Sequence, residues 1–297
     1  MKHLPPATAM FKGATGNKLV ADVYGDGGQP VLLLHGGGQT RHAWRRTAEH
    51  LGRAGGTAYA LDQRGHGDSE WVADGHYAFT DFAADAGAVA ATLAERSGKR
   101  PIAIGASLGG MASLLAEGNA ERAGNLPIFA AIVLVDITPR VNRDGVAKIQ
   151  GFMRERAGEG FATISEAADA VAAYLPHRPR PRSHEGLKKN LRQHPDGRWR
   201  WHWDPAVLRG ERSFAIDHRI LEQALIEAAK AITIPTLLVR GGSSELVHEA
   251  HVREFLELVP HADYIDVAEA RHMVAGDSND TFCDAVLEFV AKQEARH

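Results

Sequence analysis

The chain has 297 residues, 44% of them hydrophobic and 24% charged, and its 34 Lys and Arg against 37 Asp and Glu leave a formal net charge of −3. A charge so near zero gives no global field for gripping nucleic acid or an acidic membrane surface, and the hydrophobic fraction excludes a disordered chain. The expectation is a soluble, globular protein built as one large α/β domain, or as a core domain carrying a smaller insertion.

The chain opens on Met1 to Met10, which holds no apolar run of the length a secretory signal needs, and Pro5-Pro6 predicts a frayed, extended start. No stretch of about 18 apolar residues follows, so no bilayer span is expected, and the location is expected to be cytoplasmic. Lys18 to Tyr24 alternates like a half-exposed antiparallel edge strand. Short apolar runs then recur at Val31 to His35, Thr57 to Leu61, Ile102 to Ile104, Ala131 to Val135, Thr236 to Val239 and Tyr264 to Val267. Between them, Asp81 to Arg96, Leu108 to Glu117 and Asp280 to Lys292 are rich in Ala, Leu and Glu and predict covering helices. This alternation builds a mostly parallel sheet flanked by helices, an α/β fold. The single cysteine, Cys283, has no internal disulfide partner and falls on the buried face of the last helix.

The rhythm breaks once. From about Pro139 to about Lys230 no buried strand is predicted, while helical patterns occur at Val146 to Arg156, Ser165 to Tyr174 and Ile220 to Ile232. The reading is a core of residues 1–138 and 231–297 with an inserted helical lid over 139–230. Within the lid, Pro176 to Arg200 carries eight Arg and Lys against Glu185 and Asp196, read as a solvated surface, with a patch for anionic substrates as the functional alternative. Asp196-Gly197 is a turn dipeptide, and Trp199, Trp201 and Trp203 after it share one face of an extended segment. They are expected to pack the lid on the core, or to line an apolar substrate pocket together with Met153.

Gly105-Ala106-Ser107-Leu108-Gly109 is a G-x-S-x-G pentapeptide placed directly after a predicted strand and directly before a predicted helix. That setting forces the serine onto a tight turn and exposes its hydroxyl at a helix N-terminus. A serine needs a base. Of sixteen histidines, His272 stands between the last strand and the last helix, where a loop reaches back over Ser107. The histidine in turn needs a carboxylate, read as Glu245 after the strand ending at Arg240; Asp136, after Val135, is the alternative acid or a cap for the segment entering the lid. Chain order, serine then acid then histidine, holds for both. The oxyanion donors expected are the N–H of Leu108 and that of Gly37, with Gly38 as second choice, from His35-Gly36-Gly37-Gly38. His35 is expected to order that loop.

These motifs resemble the α/β-hydrolase superfamily over essentially the full length. Asp62-Gln63-Arg64-Gly65-His66-Gly67-Asp68-Ser69 is similar to the D-x-R-G-x-G-x-S turn of its lid-bearing esterase, epoxide hydrolase and carbon–carbon hydrolase branch. In that family the turn shapes the core, which keeps Arg64 and His66 out of the catalytic set. The serine at 107 speaks against epoxide hydrolase and haloalkane dehalogenase activity, where the fold uses an aspartate nucleophile. The resemblance implies a serine hydrolase, in the carboxylesterase or lactonase class (EC 3.1.1), acting on a small or medium ester, thioester or lactone. Alternatives on the same triad are C–C bond hydrolysis, acyl-homoserine lactone opening and cofactor-free perhydrolysis; a non-catalytic small-molecule receptor is the alternative of another class. No cofactor, metal, nucleic acid or membrane partner is expected. His248-Glu249-Ala250-His251 lacks the spacing of a zinc helix and reads as exposed helix surface. Oligomeric state and natural substrate are not encoded in any recognisable motif.

Overall fold

The computed structural model describes residues 6–176, 184–209, 218–267 and 280–295. In chain order the strands are β1 (Ala7–Lys12), β2 (Lys18–Tyr24), β3 (Pro30–Leu34), β4 (Thr57–Asp62), β5 (Ile102–Ala106), β6 (Ala131–Val135), β7 (Leu191–Gln193), β8 (Trp199–Trp201), β9 (Thr236–Gly241) and β10 (Asp263–Val267). The helices are α1 (Arg45–Arg53), α2 (Phe79–Ser97), α3 (Leu108–Arg122), α4 (Arg143–Arg154), α5 (Ile164–Tyr174), α6 (Glu185–Lys188), α7 (Ala206–Arg209), α8 (His218–Ala231), α9 (Glu249–Leu258) and α10 (Asp280–Glu294).

Eight strands form one sheet in the order β1-β2-β4-β3-β5-β6-β9-β10, parallel from β4 to β10 and antiparallel at β1 and β2. Every residue of β3, β5 and β6 is buried, which explains why these strands read as continuous apolar runs. Successive side chains feed opposite faces. Leu32, Leu34, Ile132 and Leu134 pack with Phe82 of α2, Leu115 of α3 and Phe255 of α9. Val31, Leu33, Ile104 and Val133 pack with Ala48 of α1 and with Phe282, Cys283 and Val286 of α10. The sheet is thus covered on both faces, as the sequence predicts, with Cys283 inside.

The structure departs from expectation in three places. Residues 7–12, for which no strand is predicted, form the edge strand β1, paired in register with β2 from Ala7↔Val23 to Lys12↔Lys18. Only Phe11 of that strand is buried, so its sequence carries a single apolar anchor and no visible period. As a result β2 lies inside the sheet between β1 and β4 rather than at its edge. The lid, in turn, is not wholly helical. Beside α4 to α7 it holds the hairpin β7–β8, closed by a turn in which Gly197 takes φ 79° and His194 N–H donates to the Arg198 carbonyl at 2.9 Å. The partner strand Leu191–Gln193 has one buried residue and sits in the basic run, which hid it. α8, read as part of the insertion, packs on α3 so closely that a Cβ at Gly118 would lie 2.5 Å from Ala228.

Candidate active site

β5 delivers Ser107 to the carboxyl edge of the sheet with φ 47° and ψ −112°, a left-handed conformation that a non-glycine residue adopts at a cost of about 1–3 kcal/mol. The turn is tight because the backbones on either side touch. A Cβ at Gly105 would lie 2.4 Å from the Gly109 carbonyl, and one at Gly109 would lie 2.3 Å from the Leu34 oxygen. Ser107 N–H donates to the Val135 carbonyl at 3.3 Å and its own carbonyl accepts from Met111 at 3.0 Å, so the turn is tied to β6 and to α3. Ser107 itself is only half-buried, in a neighbourhood where its flanking residues are fully covered.

The register pair Leu34↔Gly105 places the loop after β3 beside the elbow. A Cβ at Gly36 would come 3.5 Å from the Ser107 Cβ. Two buried histidines hold this loop. His35 Nδ1–H donates to the Gly36 carbonyl at 2.8 Å while its Nε2 accepts from Gln63 N–H at 3.1 Å. His66 Nδ1–H donates to the Arg64 carbonyl at 2.9 Å while its Nε2 accepts from Gly38 N–H at 3.1 Å. Burial pushes His35 down to about 4 and His66 down to about 3, so both rings stay neutral at physiological pH. With both nitrogens engaged, neither is placed to take a proton from Ser107. Gly38 is thereby removed as an oxyanion donor, because its N–H is committed to His66. No described residue accepts from the N–H of Gly37 or of Leu108.

Each polar position of the turn from Asp62 to Ser69 has a structural partner. Asp62 accepts from Arg41 N–H at 2.6 Å, from the Arg41 guanidinium and from Asp68 N–H at 2.9 Å. Arg64 and Asp85 pair through two bonds of 2.7 Å, fully buried. Ser69 Oγ donates to the Asp62 carbonyl at 2.5 Å, and a Cβ at Gly67 would fall on the Asp62 carboxylate.

A family described as "Serine aminopeptidase, S33" matches residues 28–279. The chain belongs to this α/β-hydrolase family. Esterase Rv0045c of Mycobacterium tuberculosis is 30% identical over 259 residues, 86% of this chain and 80% of that one. The 2-(acetamidomethylene)succinate hydrolase of Mesorhizobium japonicum is 30% identical over 243 residues, 79% of this chain and 78% of that one. A crystal structure of an E-2-(acetamidomethylene)succinate hydrolase superposes with a TM-score of 0.81 at 23% identity, covering 96% of this chain and 99% of that one. The protein is a hydrolase of this fold.

In this α/β-hydrolase the remaining site candidates fall in three places. His272 lies outside the described residues. Glu245 is half-buried on the loop after β9, where its carbonyl packs against Gly145 of α4. Burial and the Glu245 charge push the Tyr174 phenol of α5 up, so this carboxylate acts on the lid. Asp136 is fully buried at the end of β6 with φ 50°. It does not cap the segment entering the lid: α4 is capped by Asn142, whose Oδ1 accepts from Asp144 N–H at 2.9 Å and Gly145 N–H at 3.2 Å. Instead its carboxylate accepts from Gly241 N–H at 3.1 Å and from Ser244 Oγ–H at 2.6 Å. Ser244 is a partner of Asp136 that sequence reasoning missed; its only signal was a run of small residues, Gly241 to Ser244.

The segment between β6 and β9 packs over this edge. Met153 of α4 reaches the loop after β3, where a Cβ at Gly38 would come 3.0 Å from its Cε. Phe152 stacks on Tyr174 at 4.1 Å between ring centroids and tilts against Trp201 at 5.8 Å, and Phe161 meets Trp201 edge-on at 5.3 Å. Trp201 and Trp203 are buried in the core, Trp199 partly so. Trp203 forms a β-bridge with His66, flanked by Gly67 N–H donating to the His202 carbonyl and Asp204 N–H donating to the Gly65 carbonyl, both at 2.7 Å. The tryptophan segment therefore fastens the inserted segment to the turn that also holds the loop after β3. Among the described residues no cluster of His, Cys, Asp and Glu has the geometry of a metal site.

Proposed function

We propose that the protein is a serine hydrolase that cleaves a small or medium carboxylic ester, thioester or lactone through an acyl-enzyme. The observation that carries this reading is the left-handed Ser107 at the head of α3, with Gly36 packed against it and the N–H groups of Leu108 and Gly37 accepted by no described residue. His272 takes the Ser107 Oγ proton as Oγ attacks the carbonyl carbon. The resulting oxyanion accepts from the Leu108 and Gly37 N–H groups, which are fixed by backbone before substrate arrives and so need no reorganisation. Collapse expels the alcohol or thiol, which takes the proton from the imidazolium. Water then loses a proton to the same histidine, attacks the acyl carbon and releases the acid with Ser107 restored.

A small substrate is supported by a cavity of about 110 Å³ between α3, α4, α8 and the chain leaving β6, lined mainly by apolar side chains, among them Met111, Val141, Val146, Leu221 and Leu225. Met111 lies one helical turn beyond Ser107, which supports this recess as the seat of a short acyl chain. The described relatives part on substrate, one being named an esterase and the other a 2-(acetamidomethylene)succinate hydrolase. The test is intact-protein mass after brief exposure to a fluorophosphonate, followed by turnover of p-nitrophenyl esters of increasing acyl length, lactones and an N-acyl enamide. One adduct, absent in Ser107→Ala, with best turnover on short acyl chains, is expected. Retention of most activity by Ser107→Ala would overturn the mechanism, and turnover confined to the enamide would replace the ester assignment.

A further inference from the structure

The recess proposed to seat the acyl chain takes one wall from α4 and another from α8. On α4 the lining positions are 143, 146, 147 and 150, the i, i+3, i+4, i+7 spacing of a single helix face, polar at Arg143 and Gln150 and apolar between them. Leu221, Glu222 and Leu225 line it from α8, and Met111 lines it from α3. Arg143 is the first residue of α4, and its place is fixed: Asn142 caps the helix, and Asn142 N–H donates to the Leu246 carbonyl at 2.9 Å.

Among the described residues of this lining, Arg143 is the single arginine or lysine and Glu222 the single carboxylate. Their surroundings differ. Glu222 Oε1 accepts from Arg140 Nε–H at 2.8 Å, and Arg140, which also pairs with Glu254 of α9, does not line the recess. Arg140 is anchored in turn, since Thr138 Oγ1–H donates to its carbonyl at 2.6 Å. Arg143 comes no nearer to Glu222 than 3.8 Å, beyond hydrogen-bond length, and among the described residues nothing else accepts from its guanidinium. Glu222 is therefore balanced from outside the recess by Arg140. Arg143 keeps a fork of donors turned to solvent, its side chain 69% exposed, at the end of an apolar helix face.

We propose that Arg143 binds a carboxylate at the far end of the acyl group, so that the substrate class is the half-ester or half-thioester of a short dicarboxylic acid; this rests on the serine-hydrolase reading above. A planar guanidinium presents paired N–H donors that match the two oxygens of one carboxylate. One uncompensated cation suits one negative charge, whereas a phosphate dianion would leave a charge unpaired beside an apolar wall. Val146, Leu221 and Leu225 give the intervening methylenes a dry surface, and about 110 Å³ admits only a short chain. Hydrolysis adds water across the ester bond and releases the alcohol or thiol and the dicarboxylic acid. The distal carboxylate is unchanged by the reaction and serves recognition alone. A neutral chain of equal length gains nothing from Arg143, and that difference is the source of selectivity.

The experiment follows ethanol release from the monoethyl esters of succinate, glutarate and adipate, each against the ethyl ester of the matched monoacid: butyrate, valerate and hexanoate. Wild type is compared with Arg143→Gln and Arg143→Lys, with thermal melts to establish that each is folded. For the best half-ester, wild-type kcat/KM is expected to exceed that of its matched ester by at least about tenfold. Arg143→Gln should remove that preference, mainly through KM, and leave the matched ester within about threefold; Arg143→Lys, which keeps the charge but not the fork, should recover part of it. A structural role would instead lower both substrates together. No preference in wild type, or an equal loss on both substrates in Arg143→Gln, overturns the proposal. Calorimetric binding of monoethyl glutarate and ethyl valerate to Ser107→Ala, with and without Arg143→Gln, needs no turnover. Should wild type release ethanol from no ester, the hydrolase reading falls on that result, and the calorimetry still decides on Arg143: tighter half-ester binding that Arg143→Gln abolishes upholds the carboxylate site, and its absence overturns it.

Discussion

At the carboxyl edge of β3, β5 and β6 the turn around Ser107 and the bend at Gly36 are shaped largely by residues a few positions apart, whereas the insertion is held over that edge by bonds between residues more than a hundred positions apart. At the edge, Gly105, Ser107 and Gly109 shape one turn, and His35 bonds its own neighbour Gly36. In the lid, Tyr77 Oη–H donates to Asp204 at 2.7 Å across 127 positions, and Thr40 Oγ1–H donates to Asn190 Oδ1 at 3.0 Å across 150. Local geometry of the first kind is rigid because backbone meets backbone, and it tolerates no added atom. The second kind is a sum of replaceable contacts, so the two regions are expected to fail differently when cut.

The largest effect is expected at the edge. Gly109→Ala puts a methyl 2.3 Å from the Leu34 oxygen, and since both partners are backbone the strand or the helix must move. About 2–3 kcal/mol of stability should be lost, measured by chemical denaturation. Activity should fall by more than stability explains, at least about 100-fold, because a displacement near 1 Å at the nucleophile already costs that much. A variant with normal turnover would show that the close β3–α3 contact does not set the serine.

This division also explains what the sequence made legible. The six parallel strands, the elbow, the glycines after β3 and the Asp62 to Ser69 turn are readable because each is encoded within about ten residues, where periodicity and glycine spacing act. β1 is not, since its single buried side chain gives no period, and β7 is not, since its role is set by pairing with Trp199 to Trp201. The donors around Asp136 are invisible for a sharper reason. Gly241 and Ser244 stand 105 and 108 positions away, and only the β6–β9 register brings them to that carboxylate. The Gly38 N–H was misread because its acceptor, His66, belongs to a motif 28 positions on. The proposed base, His272, lies outside the described residues and stands on sequence alone.

A second, smaller effect sharpens the contrast, since even the rigid half contains a destabilising group. Glu117, on the far end of the nucleophile helix, is fully buried, accepts from Ile128 N–H at 3.0 Å and Phe129 N–H at 2.8 Å, and is pushed up to about 7 by burial and by its bond with Glu121. A raised acid binds its proton more tightly in the folded state. Its contribution to stability is therefore complete below about 4.5, where it is protonated in both states, and is lost as pH rises toward about 7. The loss is at most about 1.4 kcal/mol per pH unit in that window. Glu117→Gln carries no proton to lose. Its stability relative to wild type should rise from pH 5 to pH 7 and level off above, read from denaturant midpoints at each pH; a difference that stays flat would mean that Glu117 titrates normally.

The smallest effect belongs to the lid. Arg192 of β7 meets Asp68 at 3.4 Å, a contact in which both side chains are about half exposed, while Asp68 is also bound by Arg41 at 2.8 Å from the core. An exposed pair with a competing partner contributes under about 1 kcal/mol, and salt screens it further. Arg192→Ala removes the ion pair but leaves the hairpin fastened by Thr40 to Asn190 and by the backbone bonds between residues 65–67 and 202–204. Stability should change by less than about 1 kcal/mol, and kcat/KM by less than about threefold, at low and at high salt alike. A loss of activity that appears in Arg192→Ala, and in wild type only as salt is raised, would show that charge rather than backbone pairing keeps the lid seated. The long-range half of the molecule would then depend on far fewer contacts than its hydrogen bonds imply.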